Sequence, residues 1–156
     1  MKLKVGDKAP DFNLPSQKDE MHSLKDVKGK WVLIYFYPRD NTPGCTTEAC
    51  AIRDVFPKFG TLDAVAFGVS ADSVESHKKF ADKQKLPFTL LSDPEKSMLK
   101  AYGVWGKKKF MGREFMGIKR MSFLIDPKGK IAKIYEKVKP ADHAEEVLAD
   151  IQELGK

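Results

Sequence analysis

Trp31-Val-Leu-Ile-Tyr-Phe-Tyr37 runs without a break into Pro38-Arg-Asp-Asn-Thr42-Pro-Gly-Cys45-Thr-Thr-Glu48-Ala-Cys50. The first segment is continuously apolar, which suits a strand covered on both faces. Beyond it Ala49, Ile52, Val55, Phe56 and Phe59 recur at spacings of three and four, a helical stripe. The junction puts Cys45 in the first turn of that helix. Unpaired backbone N–H groups and the positive end of the dipole favour an anion there. A thiolate is an anion, and helix N-termini are among the places where cysteines become reactive. Cys45 and Cys50 are the only two cysteines in the chain. A reactive thiol with a second thiol five residues on can run a redox cycle.

Reading outward, residues 1–30 are rich in turns, with Gly6, Pro10, Pro15 and Gly29 punctuating short apolar pieces such as Phe12-Asn-Leu14. Pro57 is expected to kink or end the first helix. Asp63–Ser70 reads as a second strand. Asp72 and Glu75 suggest a capping box for a helix reaching about Lys83. Phe88–Leu91 reads as a third strand. Asp93-Pro94 is expected to open a helix, with Pro at its first position and Gly103 as its stop. Residues 104–120 are rich in Gly and Lys with scattered aromatics and read as a loop. Met121–Ile125 and Ile131–Tyr135 flank Asp126-Pro-Lys-Gly-Lys130 and read as a hairpin. Asp142 is expected to cap a last helix whose face is Ala144, Val147, Leu148, Ile151 and Leu154. There is no internal repeat. Strands alternating with helices predict an α/β three-layer sandwich, in one domain over residues 1–156.

The bulk numbers exclude several classes. Hydrophobic content of 42% and charged content of 32% are those of an ordinary globular protein. No apolar run approaches the ~20 residues of a membrane helix. Met1-Lys-Leu-Lys-Val-Gly-Asp7 is followed by no long apolar stretch, so a secretory signal is not expected and a cytoplasmic location is. The net charge is +6, but the basic residues are spread. Only Lys107–Lys109, with Arg113, Lys119 and Arg120, forms a patch, read as a solvated face that could attract an acidic reductant. With no helix-turn-helix or zinc motif, nucleic-acid binding is not expected. Two cysteines in a cytosolic chain argue for chemistry rather than a disulfide scaffold. A metal site would need two ligands beyond the Cys-x4-Cys pair, and His22, His77 and His143 share no motif spacing. Those histidines are expected at the surface or in caps.

Taken alone, several of these residues have plainer readings. Two cysteines five apart fit buried helical positions equally well. Arg120 fits a solvated charge beside Lys119. Met111, Met116 and Met121 read as packing residues. Trp105 and Phe110 either line a substrate or partner surface or anchor the loop. A Cys/His hydrolase would need a base that nothing near Cys45 suggests. A general thiol–disulfide oxidoreductase would carry Cys-x-x-Cys at this junction, where this chain has four intervening residues. A redox sensor without catalysis is the remaining alternative.

Three separated motifs in register favour one reading. Pro38, Thr42 and Cys45 match the pattern Pro-x-x-x-Thr-x-x-Cys. Gly6, Ala9, Pro10, Asp11, Phe12 and Leu14 match an N-terminal Gly-x-x-Ala-Pro-Asp-Phe-x-Leu. Arg120 followed by Ser122-Phe-Leu-Ile-Asp126 matches a later strand that opens on arginine. Nearly the whole chain resembles a peroxiredoxin of the bacterioferritin comigratory protein (PrxQ-like) type, and Tyr102-Gly-Val-Trp-Gly-Lys-Lys-Lys-Phe-Met-Gly112 resembles that subtype. The GGLG loop and C-terminal Tyr-Phe helix of easily over-oxidised peroxiredoxins have no counterpart.

The resemblance implies a thioredoxin-like fold, a central mixed sheet flanked by helices with an N-terminal β extension. It implies a thioredoxin-dependent, antioxidant peroxidase acting on hydrogen peroxide and organic hydroperoxides, a monomeric enzyme with no bound cofactor or metal. Cys45 would attack the peroxide. Arg120 would hold thiolate and peroxide, Thr42 would hydrogen-bond the peroxide, and Pro38 would cover Cys45. Glu48, one turn on, would orient Arg120 or a neighbouring arginine. Cys50 would resolve the Cys45 sulfenic acid to an intramolecular disulfide, reduced by thioredoxin or a similar dithiol. Five residues of helix separate the two Cα atoms by ~8–9 Å, beyond the ~7 Å a disulfide spans, so the first turns must unwind.

Overall fold

The computed structural model describes residues 2–155, with the side chain of Phe110 left out. The apolar run forms β3, Trp31–Phe36, the middle strand of a five-stranded mixed sheet. Its neighbours are β4 (Ala64–Ser70), parallel to it, and β8 (Met121–Ile125), antiparallel to it. Outside these lie β5 (Thr89–Ser92), parallel to β4, and β9 (Ile131–Tyr135), antiparallel to β8.

Alternation along β3 shows why the run is apolar throughout. Leu33, Tyr35 and Tyr37 point to one face and join a cluster with residues of α1 (Pro43–Thr61), α2 (Val74–Gln84) and α4 (His143–Leu154). Val32, Ile34 and Phe36 point to the other face. There they meet Ala9, Phe12 and Leu14 of the N-terminal segment, and Met98 and Leu99 of α3 (Ser97–Ala101). A strand buried on both faces has no polar position to alternate with. The N-terminal extension pairs β1 (Asn13–Pro15) with β2 (Met21–Ser23).

Several local expectations change. Pro57 lies inside α1, which continues to Thr61, with buried Ile52 and Phe59 holding the helix on both sides of it. The cap of α2 is Ser73, whose hydroxyl accepts from the Ser76 N–H; the Asp72 carboxylate instead takes the Asp40 N–H and the Ser70 hydroxyl. Pro94 does not begin α3. Asp93 accepts from the N–H groups of Ser97 and Leu99, which sets the helix three residues later. Asp142 occupies the cap of α4 without a side-chain cap bond, and Leu154 is exposed.

The stretch 104–120 is not a loop. It is a hairpin of β6 (Trp105–Phe110) and β7 (Arg113–Ile118), turned by Met111 and Gly112, both at positive φ. This two-stranded ribbon has mostly exposed faces, so no buried face imposes the period-two pattern that would announce it. Met111 and Met116 are exposed rather than packed. Met121 and Trp105 pack against the core, and Lys96 Nζ sits 5.0 Å over the Trp105 ring, so Trp105 anchors the ribbon. Phe110's role lies outside the described residues.

One packing constraint is testable. Tyr35 stands opposite Gly68 on β4, and its hydroxyl occupies the space where a side chain would be. A Cβ on Gly68 would meet Tyr35 Oη at 2.6 Å and Leu90 Cδ2 at 2.8 Å. That hydroxyl is buried with no hydrogen-bond partner among the described residues. We expect Gly68→Ala to destabilise by ~1–3 kcal/mol through overpacking. Tyr35→Phe should be neutral or slightly stabilising, because it removes an unsatisfied polar group. The double variant should recover only part of the loss, because Tyr35 Cζ at 2.7 Å and Leu90 Cδ2 at 2.8 Å still crowd the added Cβ; urea unfolding midpoints measure the coupling.

Candidate active site

The register of the sheet brings two distant segments together. Met121 of β8 stands opposite Phe36 of β3. The residue before Met121 is Arg120, so it arrives where β3 ends and the chain turns into α1. Thr42 is the N-cap of α1 and Pro43 its first residue, a position where proline's missing N–H costs nothing. Cys45 is therefore in the first turn. It is 1% exposed.

Arg120 spans the site. Its Nη2 donates to Cys45 Sγ at 3.2 Å and its Nη1 to Glu48 Oε1 at 2.7 Å. Gly44 permits this approach, since a Cβ there would lie 3.1 Å from Arg120 Nη2. Glu48 is fully buried, and its Oε2 has no partner among the described residues. Burial pushes its carboxyl up to about 7, against the pull of Arg120. For Arg120, burial lowers the guanidinium, but Cys45 and Glu48 together raise it above its ordinary value. The fork of a guanidinium can donate to two acceptors at once.

The other expected residues are placed less directly. Thr42 is half-buried, and its hydroxyl donates to the Arg39 carbonyl at 2.9 Å. Pro38 is half-buried at the start of the same loop. Cys50 is also on α1, but its partner is Gln84 of α2 rather than Cys45. Both cysteines are free thiols.

Two histidines are not surface residues. His77 and His143 are buried. His77 lies between Asp40 Oδ2, at 2.7 Å from Nδ1, and the Leu91 carbonyl, at 2.9 Å from Nε2. Asp40 also accepts from the hydroxyls of Tyr37 and Ser76. This network ties the loop before Cys45 to α2. Asp40, Asp72 and His77 offer three ligand atoms within 4.8 Å of one another, but these atoms are already engaged within the network. His143 lies against Ser122 and Glu146, and burial lowers its imidazole below the ordinary value.

Lys108 escaped the sequence reading as more than surface charge. Its Nζ donates to the Ile118 carbonyl at 2.9 Å. Burial lowers its ammonium, as does Arg120, while Cys45 opposes the change. Nothing in the sequence marks it apart from Lys107 and Lys109.

Residues 5–134 match the model of the AhpC/TSA family. The chain belongs to that family. It is 48% identical over 155 residues to Peroxiredoxin Bcp of Bacillus subtilis, with 99% of each chain covered. It is 44% identical over 151 residues to Peroxiredoxin Bcp of Escherichia coli K12, covering 97% of each. Among solved structures, the bacterioferritin comigratory protein of Xanthomonas campestris superposes with a TM-score of 0.88 at 38% identity, over 93% of this chain and 92% of that one. A PrxQ of Xylella fastidiosa gives 0.94 at 34% identity, over 100% and 99%. The fold is that of the thioredoxin-like peroxiredoxins, and the chain is a thiol-dependent peroxidase.

The buried carboxylate has a consequence for stability. Glu48 titrates near 7 in the folded protein and near 4.3 in an unfolded chain. Between these values the folded state binds more protons, so this group's contribution is fully present below about pH 4.3 and lost as pH rises through about 7. The amount is on the order of a few kcal/mol. Glu48→Gln removes the titration. We expect urea unfolding at pH 5 and pH 8 to show a smaller loss of stability on going alkaline in the variant than in the wild type.

Proposed function

We propose that Cys45 is the attacking thiol of this peroxidase and that Cys50 resolves its sulfenic acid to an intramolecular disulfide. The observation that carries the first part is the Arg120 fork joining Cys45 Sγ to Glu48. A thiolate attacks one peroxide oxygen while the other leaves as hydroxide or alkoxide, so negative charge moves from sulfur to oxygen. A fixed cation beside the sulfur, in a site largely shielded from water, favours the thiolate and the developing charge. Backbone N–H groups of the first turn of α1 add to it. Glu48 fixes the guanidinium. Thr42 offers its hydroxyl oxygen to the peroxide while its proton is held by Arg39, and Pro38 limits water at the sulfur.

Cys50 is assigned as resolving thiol because it is the other cysteine of the chain. The two residues lie within one unbroken helix, so their Cα atoms are ~8–9 Å apart by helix geometry, too far for a disulfide. The first turns of α1 unwind to let them join. A disulfide formed that way is readily reduced, which suits turnover by thioredoxin or a similar dithiol protein. Hydrogen peroxide and organic hydroperoxides are the substrates. The alkyl peroxide reduction activity of the Xanthomonas relative supports the second class. We place the enzyme in the cytoplasm, as a monomer in antioxidant defence.

One equivalent of peroxide should convert the reduced protein to a monomer about two mass units lighter with both thiols lost. Cys45→Ser should abolish peroxide consumption. Cys50→Ser should stop at a sulfenic acid that dimedone traps. Intermolecular dimers alone, or a surviving Cys50 thiol in the wild type, would refute the intramolecular route.

Arg120→Met should leave the fold intact and slow the bimolecular reaction with peroxide by roughly 100-fold or more, the scale of losing one preorganised charge donor. Stopped-flow oxidation of the reduced protein measures it. An unchanged rate would return Arg120 to the role of a surface charge.

A further inference from the structure

Cys50 is held in place by a residue that the peroxide step does not use. Its thiol donates to Gln84 Oε1 at 3.4 Å. Gln84 is the last residue of α2. Arg53, three residues beyond Cys50, donates from Nη1 to the main-chain oxygen of the same Gln84 at 2.7 Å. Two ties from neighbouring turns of α1 thus end on one residue. All three residues are half-buried.

We propose that Gln84 is a positioning residue for the resolving step, and that its hold on Cys50 in the folded helix slows that step. The proposal rests on the resolving role given to Cys50. In the folded helix, Cys50 is ~140° around the axis from Cys45, and its S–H is engaged with the Gln84 oxygen. The nucleophile in thiol–disulfide chemistry is the thiolate, so this donor must let go before it reacts. The freed Cys50 sulfur, having lost its proton to solvent, attacks Sγ of the Cys45 sulfenic acid. An S–S bond forms and the S–O bond breaks. The leaving hydroxide takes up a proton and departs as water. Cys50 sulfur is oxidised and Cys45 sulfur is reduced.

The two ties differ in strength. A thiol is a weak donor, whereas a guanidinium N–H to a carbonyl is a charge-assisted bond. The first breaks readily, and the second stays made. Unwinding therefore runs from Pro43 through Cys50 and stops before Arg53, which keeps the rest of α1 docked on α2. A local opening of this kind returns quickly to the helix that the next peroxide requires.

Two substitutions test the tie. Gln84→Met keeps length and helix preference but has no oxygen. Gln84→Asn keeps the amide and withdraws it by one methylene. Both leave the main-chain carbonyl for Arg53. After a single equivalent of hydrogen peroxide, the peroxide-independent phase, followed by quenched-flow intact mass, should be roughly two- to fivefold faster in each variant, the scale of one modest hydrogen bond. The peroxide concentration that drives half of Cys45 to sulfinic acid should rise by the same factor, because over-oxidation competes with resolution. A merely structural role would lower the urea midpoint without speeding this phase. A folded variant, of either kind, whose resolving phase is unchanged or slower overturns the role of Gln84 while leaving the disulfide intact. A wild type that forms no Cys45–Cys50 disulfide overturns the resolving role of Cys50, and the role of Gln84 with it.

Discussion

The pairing of β8 with β3 is the constraint on which the site depends. Arg120 is 75 residues from Cys45 in sequence, and only the register Phe36↔Met121 brings it beside the first turn of α1. Side chains alternate faces along a strand, so a slip of one residue would reverse every one of them. Phe123 and Leu124 would exchange between the two apolar layers. Core burial on both faces of the sheet therefore fixes the position of one guanidinium. The geometry of the fork is a product of hydrophobic packing far more than of its own ion pair.

That ion pair is a poor stabiliser in itself. Taking a carboxylate and a guanidinium out of water costs several kcal/mol for each ion, and mutual attraction often only breaks even. Here Glu48 Oε2 has no partner among the described residues, and burial outweighs Arg120 in setting the carboxyl's proton affinity. A core of similar volume could have been built from apolar side chains. What the pair supplies is direction. With Nη1 held on Glu48, Nη2 has one place to point, the Cys45 sulfur. Gly44 completes the arrangement by leaving no Cβ in the path.

Much of this was legible in the sequence because it rests on strong local signals. The apolar run and helical stripe located β3 and α1, and the β8–β9 hairpin followed from two strands around a turn. Motifs in register gave Cys45 and Arg120, and Glu48 followed only from its place one helical turn after Cys45. The rest was hidden for physical reasons. The β6–β7 ribbon has little buried face and so no alternation to read. Ser73 and Asp72 are adjacent and both suit a cap, and only the tertiary demand of Asp40 for the Asp72 carboxylate decides between them. His77 and His143 are buried because distant acceptors and hydroxyls satisfy them, and single-residue patterns carry no trace of such partners. Gln84 is an ordinary helical residue until α2 is laid against α1.

The two ends of α2 treat the reactive helix unequally. Near its N-terminus, Ser76 and His77 grip Asp40 in the loop before Cys45. That grip is buried, and Tyr37 adds a third bond to the same carboxylate. Near the C-terminus, the tie to Cys50 is a single half-exposed sulfur contact. A buried network whose members are all satisfied is costly to open, because each broken bond strands a polar group away from water. A half-exposed thiol loses little, since water replaces its partner. Any local opening of α1 therefore begins by freeing Cys50 while the Pro38–Thr42 loop stays seated. The loop before Cys45 can keep its seat on α2 while the turns from Pro43 to Cys50 open, so the fixed end is that loop and the movable one is the start of the helix.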